Sequence, residues 1–473
     1  MKKGFKYSKN FKYGMVFTVM AALVVGITIL VNAFVSALNI RWDVSQNKMY
    51  SIGEQTKVIL EGLKQEVDVV MLADRDEIKT YEAGFILVEF LDKYDKFDKV
   101  NVKFVDPDKN PDIVKELNKS GTLNPQQNEI IVRSGDKVKK VTIYDIFQQD
   151  YYGPMMFMGE QAITGAIKYV TSETIPTVYF IDAHSKRKLE SDYTYLQKAL
   201  ENNGYEVKKL DLTRQEKVPE DTTVLFFAPP TQDLSVAERD KVLDYLKGGG
   251  NAIFLFDPSN DDERFDNFDR VLNEYSMALN YDRVKENNDM YYVANRPYHI
   301  IPQVGYTDIT SQEDTSKFTV IMPDSRSIKR LANDKEPLTV LPLLTTSEEA
   351  VGEPFGGGET EETRGPLDIG LVAQYSSAVT TKIVVIGNGY FLTDEVYQSY
   401  FPYSSYNLYL IGLASDWMLD KSNDVFIVAK TSITDTINLS GFNAALIIAI
   451  AVLAYPLIIT STGIIIWLRR RHL

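Results

Sequence analysis

The chain opens and closes on long runs without a charged residue, and between them apolar positions recur at strand and helix periods. From Met15 to Leu38 the run MVFTVMAALVVGITILVNAFVSAL carries no charge. At about 1.5 Å per residue it is long enough to cross roughly 30 Å of hydrocarbon as a helix. A second uncharged run, Leu439 to Leu468, contains AALIIAIAVLAYPLIITSTGIIIWL. Both read as transmembrane helices. Pro456 lies inside the second and predicts a kink, which a membrane helix accommodates when its neighbours satisfy the freed carbonyl. A cleaved signal peptide shares the pattern of the first run, but the run exceeds a usual signal core and no small-x-small site stands out before Arg41.

The stretch between them predicts a layered α/β region. Ser51 and Glu54 form an S-x-x-E capping box ahead of an apolar stripe at Ile52, Val58, Ile59 and Leu63, which predicts a helix. EVDVVMLA then reads as a strand, TYEAGFILVEFLDKYDKF as a helix, KVNVKFVDPD as a strand and PDIVKELNKSG as a short helix. EIIVRSGDKVKKVTIYDI reads as a hairpin turning at Ser134, Gly135 and Asp136. This β-α-β-α-β-β order, closed by a helix near Gln161 to Thr171, is that of a thioredoxin-like fold.

A second unit runs through TVYFID, a helix around Tyr193 to Asn202, YEVKKLDL, TVLFFAPP, a helix capped by Ser235 and Glu238, and NAIFLFDP. Near-continuous apolar strands between amphipathic helices predict a parallel sheet covered on both faces, of flavodoxin or amidotransferase type. Its last strands return late, at DIGLVA and TKIVVIGNGYFLTD. The expected organisation is a basic tail (1–14), a span (15–38), a membrane-proximal α/β domain (39–172) and a central α/β domain (173–436). The central domain carries an insertion at about 260–365, with a Gly- and Glu-rich mobile loop at VGEPFGGGETEETRG; a second span (439–468) and a basic tail (469–473) follow.

Charge sets the orientation. Lys2, Lys3, Lys6, Lys9 and Lys12 precede the first run and Arg469, Arg470 and Arg471 follow the second, with no acidic residue at either end, so both termini are expected in the cytoplasm and the main domain outside it. Removing those eight cations leaves 43 Lys and Arg against 65 acidic residues, a formal charge of −22 for the intervening chain. Such acidity argues against a nucleic-acid partner. The hydrophobic share of 44% is ordinary for packed domains, and the absence of cysteine excludes disulfides, thiolate metal sites and thiol redox chemistry.

Candidate chemistry is sparse. His184 follows a strand, where open α/β sheets place binding sites, with Asp182 and Ser185 beside it. No G-x-S-x-G elbow accompanies it, so a structural or ligand-contact role is expected rather than catalysis. Gly248, Gly249 and Gly250 close a helix instead of opening one and read as a C-cap. Asp106-Pro107 and Asp257-Pro258 end apolar strands and read as turn starts, with Asp257 kept as a contact candidate. Tyr50, Tyr151, Tyr152, Tyr291 and Tyr292 are candidate interface aromatics, although core packing explains such residues as well. Polar residues in or near the spans, Asn32, Ser36, Asn443, Thr460, Ser461 and Thr462, form a candidate docking face. No P-loop motif is present and no cofactor is implied.

WDVSQNKMYSIGEQT, KFVDPD, GEQAITGAIKYVT, the stretch from TVYFIDAH, APPTQDLSVAERDKVLDYLKGGG, IFLFDP and VVIGNGYFLTD with the later Asn407 together resemble the GldG-like family. These are auxiliary membrane subunits of ABC-type transport systems that include a gliding-motility protein. The resemblance runs nearly end to end. One departure is Asp182-Ala183-His184-Ser185, where the family often shows Gly-His-Gly-Glu: the His is kept, the flanking Gly and the Glu are not. The resemblance implies a non-catalytic subunit working with a separate ABC ATPase and a multi-span permease at the plasma membrane, with self-association open. An extracytoplasmic hydrolase and a cell-envelope scaffold are the rival readings.

Overall fold

A computed structural model of the chain describes residues 9–37, 51–117, 121, 123–148, 156–258, 264–332, 336–354, 361–401, 403–420, 430–431 and 455–471. The chain divides into two compact units, Met1–Thr431 and Ser432–Leu473.

The first helix, Lys9–Ala37, contains an apolar stretch of 21 residues, Gly14–Phe34, long enough to cross a membrane and with none of its length buried. Thr18 and Thr28 donate their hydroxyls to the carbonyls of Gly14 and Val24, so neither needs an outside partner in an apolar surround. Lys2 and Lys3 lie outside the described residues.

In the second unit the described element is the helix Tyr455–Arg471, whose apolar part, Pro456–Arg469, is shorter than a full span. The earlier part of the expected span, 439–454, lies outside the described residues, Asn443 among it. Pro456 lies at the border of the described residues, and the kink expected there would involve residues outside them. Thr460, Ser461 and Thr462 bond back to the carbonyls of Pro456, Leu457 and Ile458. Arg469, Arg470 and Arg471 end the helix.

Residues 67–141 of the first unit form a four-stranded sheet in the order Val100–Phe104, Val67–Met71, Ile130–Ser134, Lys137–Val141. The first pair is parallel and the other two are antiparallel. Ser134 pairs with Lys137, which leaves the two-residue turn Gly135-Asp136. Gly135 takes φ +57°, as such a turn demands. Glu82–Tyr94 and Gly159–Thr171 bury Leu87, Phe90, Leu91, Ile163 and Ile167 with this sheet in one core.

The helix expected from Ser51 begins at Glu54, with Gly53 as its N-cap and no side-chain cap. The Gly53 N–H is taken instead by Glu160 Oε1 at 2.6 Å. A buried carboxylate 107 residues away thus does the work expected of the local box.

The central sheet has eight strands, in the order Gln303–Val304, Leu338–Thr345, Asp368–Ser376, Thr380–Ile386, Asn251–Leu255, Thr222–Phe227, Thr177–Ile181, Glu206–Lys209. The last five are parallel to one another. The first three are antiparallel, which corrects the all-parallel expectation. The sheet is therefore mixed, and Leu338–Thr345, read as insertion, is one of its strands.

Two apolar clusters cover the two faces, one holding Phe180, Phe226, Ile253 and Val384, the other Leu225, Phe227, Phe254 and Val385. Alternate residues of each strand supply them, as the two-residue period requires. Small antiparallel sheets complete 277–364. Val351–Pro354 and Thr363–Arg364 pair at the ends of the Gly- and Glu-rich loop, whose tip, 355–360, lies outside the described residues. Gly248 caps Val236–Lys247 and Gly249 takes φ +92°, so the glycine run does end a helix.

Candidate functional site at the carboxyl edge of the central sheet

Within the parallel part of the sheet, Thr177–Ile181 lies between Glu206–Lys209, which follows it in the chain, and Thr222–Phe227, which comes later. The connection leaving Thr177–Ile181 runs to one side, to Glu206–Lys209, and the one leaving Thr222–Phe227 runs to the other, to Asn251–Leu255. This is the switch point where open α/β sheets place their ligand sites, outside the carboxyl ends of the strands. The loops leaving 181, 227, 255 and 386 meet at that edge and bring together polar side chains far apart in sequence.

His184 sits on the loop after Ile181 and is mostly buried. Its Nε2 lies 2.8 Å from Glu238 Oε1. The other carboxylate oxygen, Oε2, accepts from Ser235 N–H at 2.9 Å and from Ser235 Oγ at 2.7 Å, completing the capping box of Val236–Lys247. Burial pushes the Glu238 carboxyl upward, but the hydrogen bonds from His184 and Ser235 outweigh it and hold the group below its ordinary value. The His184 carbonyl accepts from Thr231 N–H at 2.8 Å, which fixes the loop against the end of the neighbouring strand.

Asp182 and Ser185, the sequence neighbours, do not serve His184. Asp182 accepts from Leu189 N–H at 3.1 Å and pairs with Lys209 Nζ at 3.0 Å. Ser185 Oγ accepts from Arg187 N–H at 3.1 Å. These two shape the loop and start the short helix Leu189–Asp192.

Asp257 is more than a turn residue. Its Oδ1 accepts from the N–H groups of Gly389 and Tyr390, at 2.7 and 3.1 Å, and its Oδ2 pairs with Arg187. The Arg187 guanidinium lies 4.9 Å from the centre of the Tyr390 ring. Burial and the nearby Glu395 carboxylate push the Tyr390 phenol up to about 12. Asp106, by contrast, bonds only within its own turn region, to Asp108 N–H and Lys109.

Arg187, Glu238, Lys209 and Tyr390 were not legible as site residues. Nor was Arg326, which is 2% exposed, bonds the Asn280 carbonyl and reaches the Asp257 carbonyl at 3.5 Å. Glu238 alone had a local signal, its capping box, and that signal pointed to the helix rather than to His184. Tyr291 and Tyr292 are half-buried, while Tyr50, Tyr151 and Tyr152 lie outside the described residues.

With Nε2 turned to Glu238, Nδ1 is the ring nitrogen left to meet a ligand. The arrangement can orient a histidine against a ligand. Among the described residues no group of three His, Asp or Glu side chains is arranged to hold a metal ion.

The fold and this edge define a mixed α/β protein with a polar, charge-paired cluster at the carboxyl ends of its parallel strands. Residues 175–355, which carry most of that edge, match the auxiliary family described as an ABC-type uncharacterized transport system. That match supports a transport-associated auxiliary role for the chain. Residues 46–148 match a second family, described as a domain of unknown function. No curated protein matches the chain.

Similar solved structures include the mmIFT52 N-terminal domain, at 20% identity and TM-score 0.38 over 51% of this chain and 97% of that one. A ThuA-like protein from Bacteroides uniformis has 14% identity and TM-score 0.31 over 53% and 94%. The exo-beta-1,4-mannosidase Op5Man5 from an Opitutaceae bacterium has 11% identity and TM-score 0.28 over 81% and 56%. At such scores no activity carries over from them.

Proposed function

We propose that the chain is a non-catalytic auxiliary subunit of a GldG-like ABC transport system, working with a separate ATPase and a polytopic permease. The observation that carries this reading is the auxiliary-family match over 175–355 on a chain that opens with a span-length apolar helix. The finer reading has helices at both ends in the plasma membrane, oriented by Lys2, Lys3, Arg469, Arg470 and Arg471. Between them, outside the cytoplasm, stand a thioredoxin-like domain without cysteines and a central domain of flavodoxin or amidotransferase type. Gly53 bonds to Glu160, and the strand Lys430–Thr431 pairs with Met156–Phe157, so the chain enters and leaves the soluble body within a few residues of one helix start. His184, Asp182, Ser185 and Asp257 then hold the loops of a contact surface for substrate or partner.

The test is affinity purification from native membranes in mild detergent. An ATPase subunit and a multi-span permease should accompany the chain, and the chain alone should not hydrolyse ATP. Recovery of the chain by itself, under conditions that keep other ABC assemblies intact, would sink the transport partnership and leave the scaffold reading ahead. The His184 and Glu238 pair is the observation that favours the hydrolase reading, since a carboxylate-oriented imidazole is half of a general-base pair.

A further inference from the structure

Several attachments converge on the helix Gly159–Thr171, nearly all of whose residues are buried. At its first turn Glu160, 3% exposed, accepts the Gly53 N–H and so fixes the chain arriving from the first apolar helix. Immediately before that turn Met156–Phe157 pairs antiparallel with Lys430–Thr431, the last residues of the first unit. One turn further on, Thr164 Oγ1 lies 2.6 Å from Tyr94 OH and 3.4 Å from Thr56 Oγ1.

The same helix then meets the central unit. A Cβ at Gly165 would stand 1.6 Å from the carbonyl oxygen of Asn202, so only glycine permits this approach. Asn202 ends the helix Thr194–Glu201, and the chain passes through Gly204, at φ +86°, into the edge strand Glu206–Lys209. Lys209 at the end of that strand pairs with Asp182 in the polar cluster.

We propose that Gly159–Thr171 is a mechanical coupler that gathers both membrane-linked ends of the chain at its first turn and transmits their displacement to the central sheet through the Gly165–Asn202 contact. Backbone packed on backbone has no rotamer change to absorb a shift, so moving the helix either moves Asn202 or breaks the contact. Glu160 supplies the latch at one end and the absent side chain of residue 165 supplies the seat at the other. The coupling is a property of this chain alone and stands or falls independently of the transport partners.

The test is hydrogen exchange along a urea series on the full-length chain in detergent. In the wild type, amides of 67–104 and of 222–255 should lose protection at one common midpoint. Gly165→Val should separate the two midpoints by about 1 M urea or more. Glu160→Ala should speed exchange in 54–61 by about tenfold or more. Separate midpoints in the wild type would overturn the proposal, as would a single midpoint lowered for both sheets in Gly165→Val or unchanged exchange of 54–61 in Glu160→Ala. If Gly165→Val does not accumulate, the wild-type midpoints and Glu160→Ala decide.

Discussion

The carboxylate of Glu238 serves two masters: Oε1 holds His184 Nε2 at 2.8 Å while Oε2 closes the capping box on Ser235. One buried acid therefore ties the loop after the first central strand to the start of a helix that begins more than fifty residues later. Its charge is the common requirement of both bonds.

That shared charge predicts an acid-sensitive contribution to stability. The folded carboxyl lies below the ordinary glutamate value of 4.5, so its stabilisation is fully present above that value and is lost as the pH falls through the folded value. Unfolding free energy measured by urea titration from about pH 6 to pH 3 should fall less steeply in Glu238→Gln than in the wild type. Parallel curves would contradict the assignment.

Substitution at the other end of the pair should be milder. His184→Ala leaves the Ser235 box intact, so the chain should fold and accumulate normally, with transport-linked function changed less than about tenfold, since the general base it could provide lacks an assembled nucleophile. Loss by orders of magnitude at normal expression would restore the hydrolase reading.

Arg326 should be among the costliest single positions. Its guanidinium is almost wholly buried, bonds the Asn280 carbonyl and lies 4.7 Å from the centre of the Tyr281 ring. Arg326→Ala leaves a void and unpaired carbonyls, with an expected loss of about 3 kcal/mol or more in urea unfolding. A loss under about 1 kcal/mol would mean that the loop carries its own stability.

The membrane orientation is open to direct labelling, because the chain has no cysteine. With single cysteines placed at Lys6, Ser259 and His472, an impermeant thiol reagent applied to intact cells should modify only the one at 259. Reaction at 6 or 472 would reverse the orientation.

What the sequence made legible were the elements with local signals. The capping box at Ser235, the Gly135 turn, the glycine C-cap at Gly248 and the apolar strands from Val178 to Val385 all stand where pattern alone puts them. What it hid depends on long-range pairing. The Ser51 box is displaced because Glu160 reaches Gly53 from another helix, and Leu338–Thr345 joins the main sheet through a register with Asp368–Ser376 that no local pattern encodes. The site behaves in the same way. His184 and Asp257 are conspicuous at strand ends, but Glu238, Arg187 and the Gly389 amide become their partners only when distant loops meet.

The outer strands of the central sheet have one more effect. Its two borders are Gln303–Val304, two residues long, and Glu206–Lys209, four residues long and bearing Glu206, Lys208 and Lys209. Free backbone donors and acceptors invite a strand from another molecule, and brevity and charge are what discourage it. A body tethered to a membrane meets its own copies at high local concentration, where such recruitment would lead to aggregation. These two guarded borders keep neighbouring copies from knitting into a continuous sheet.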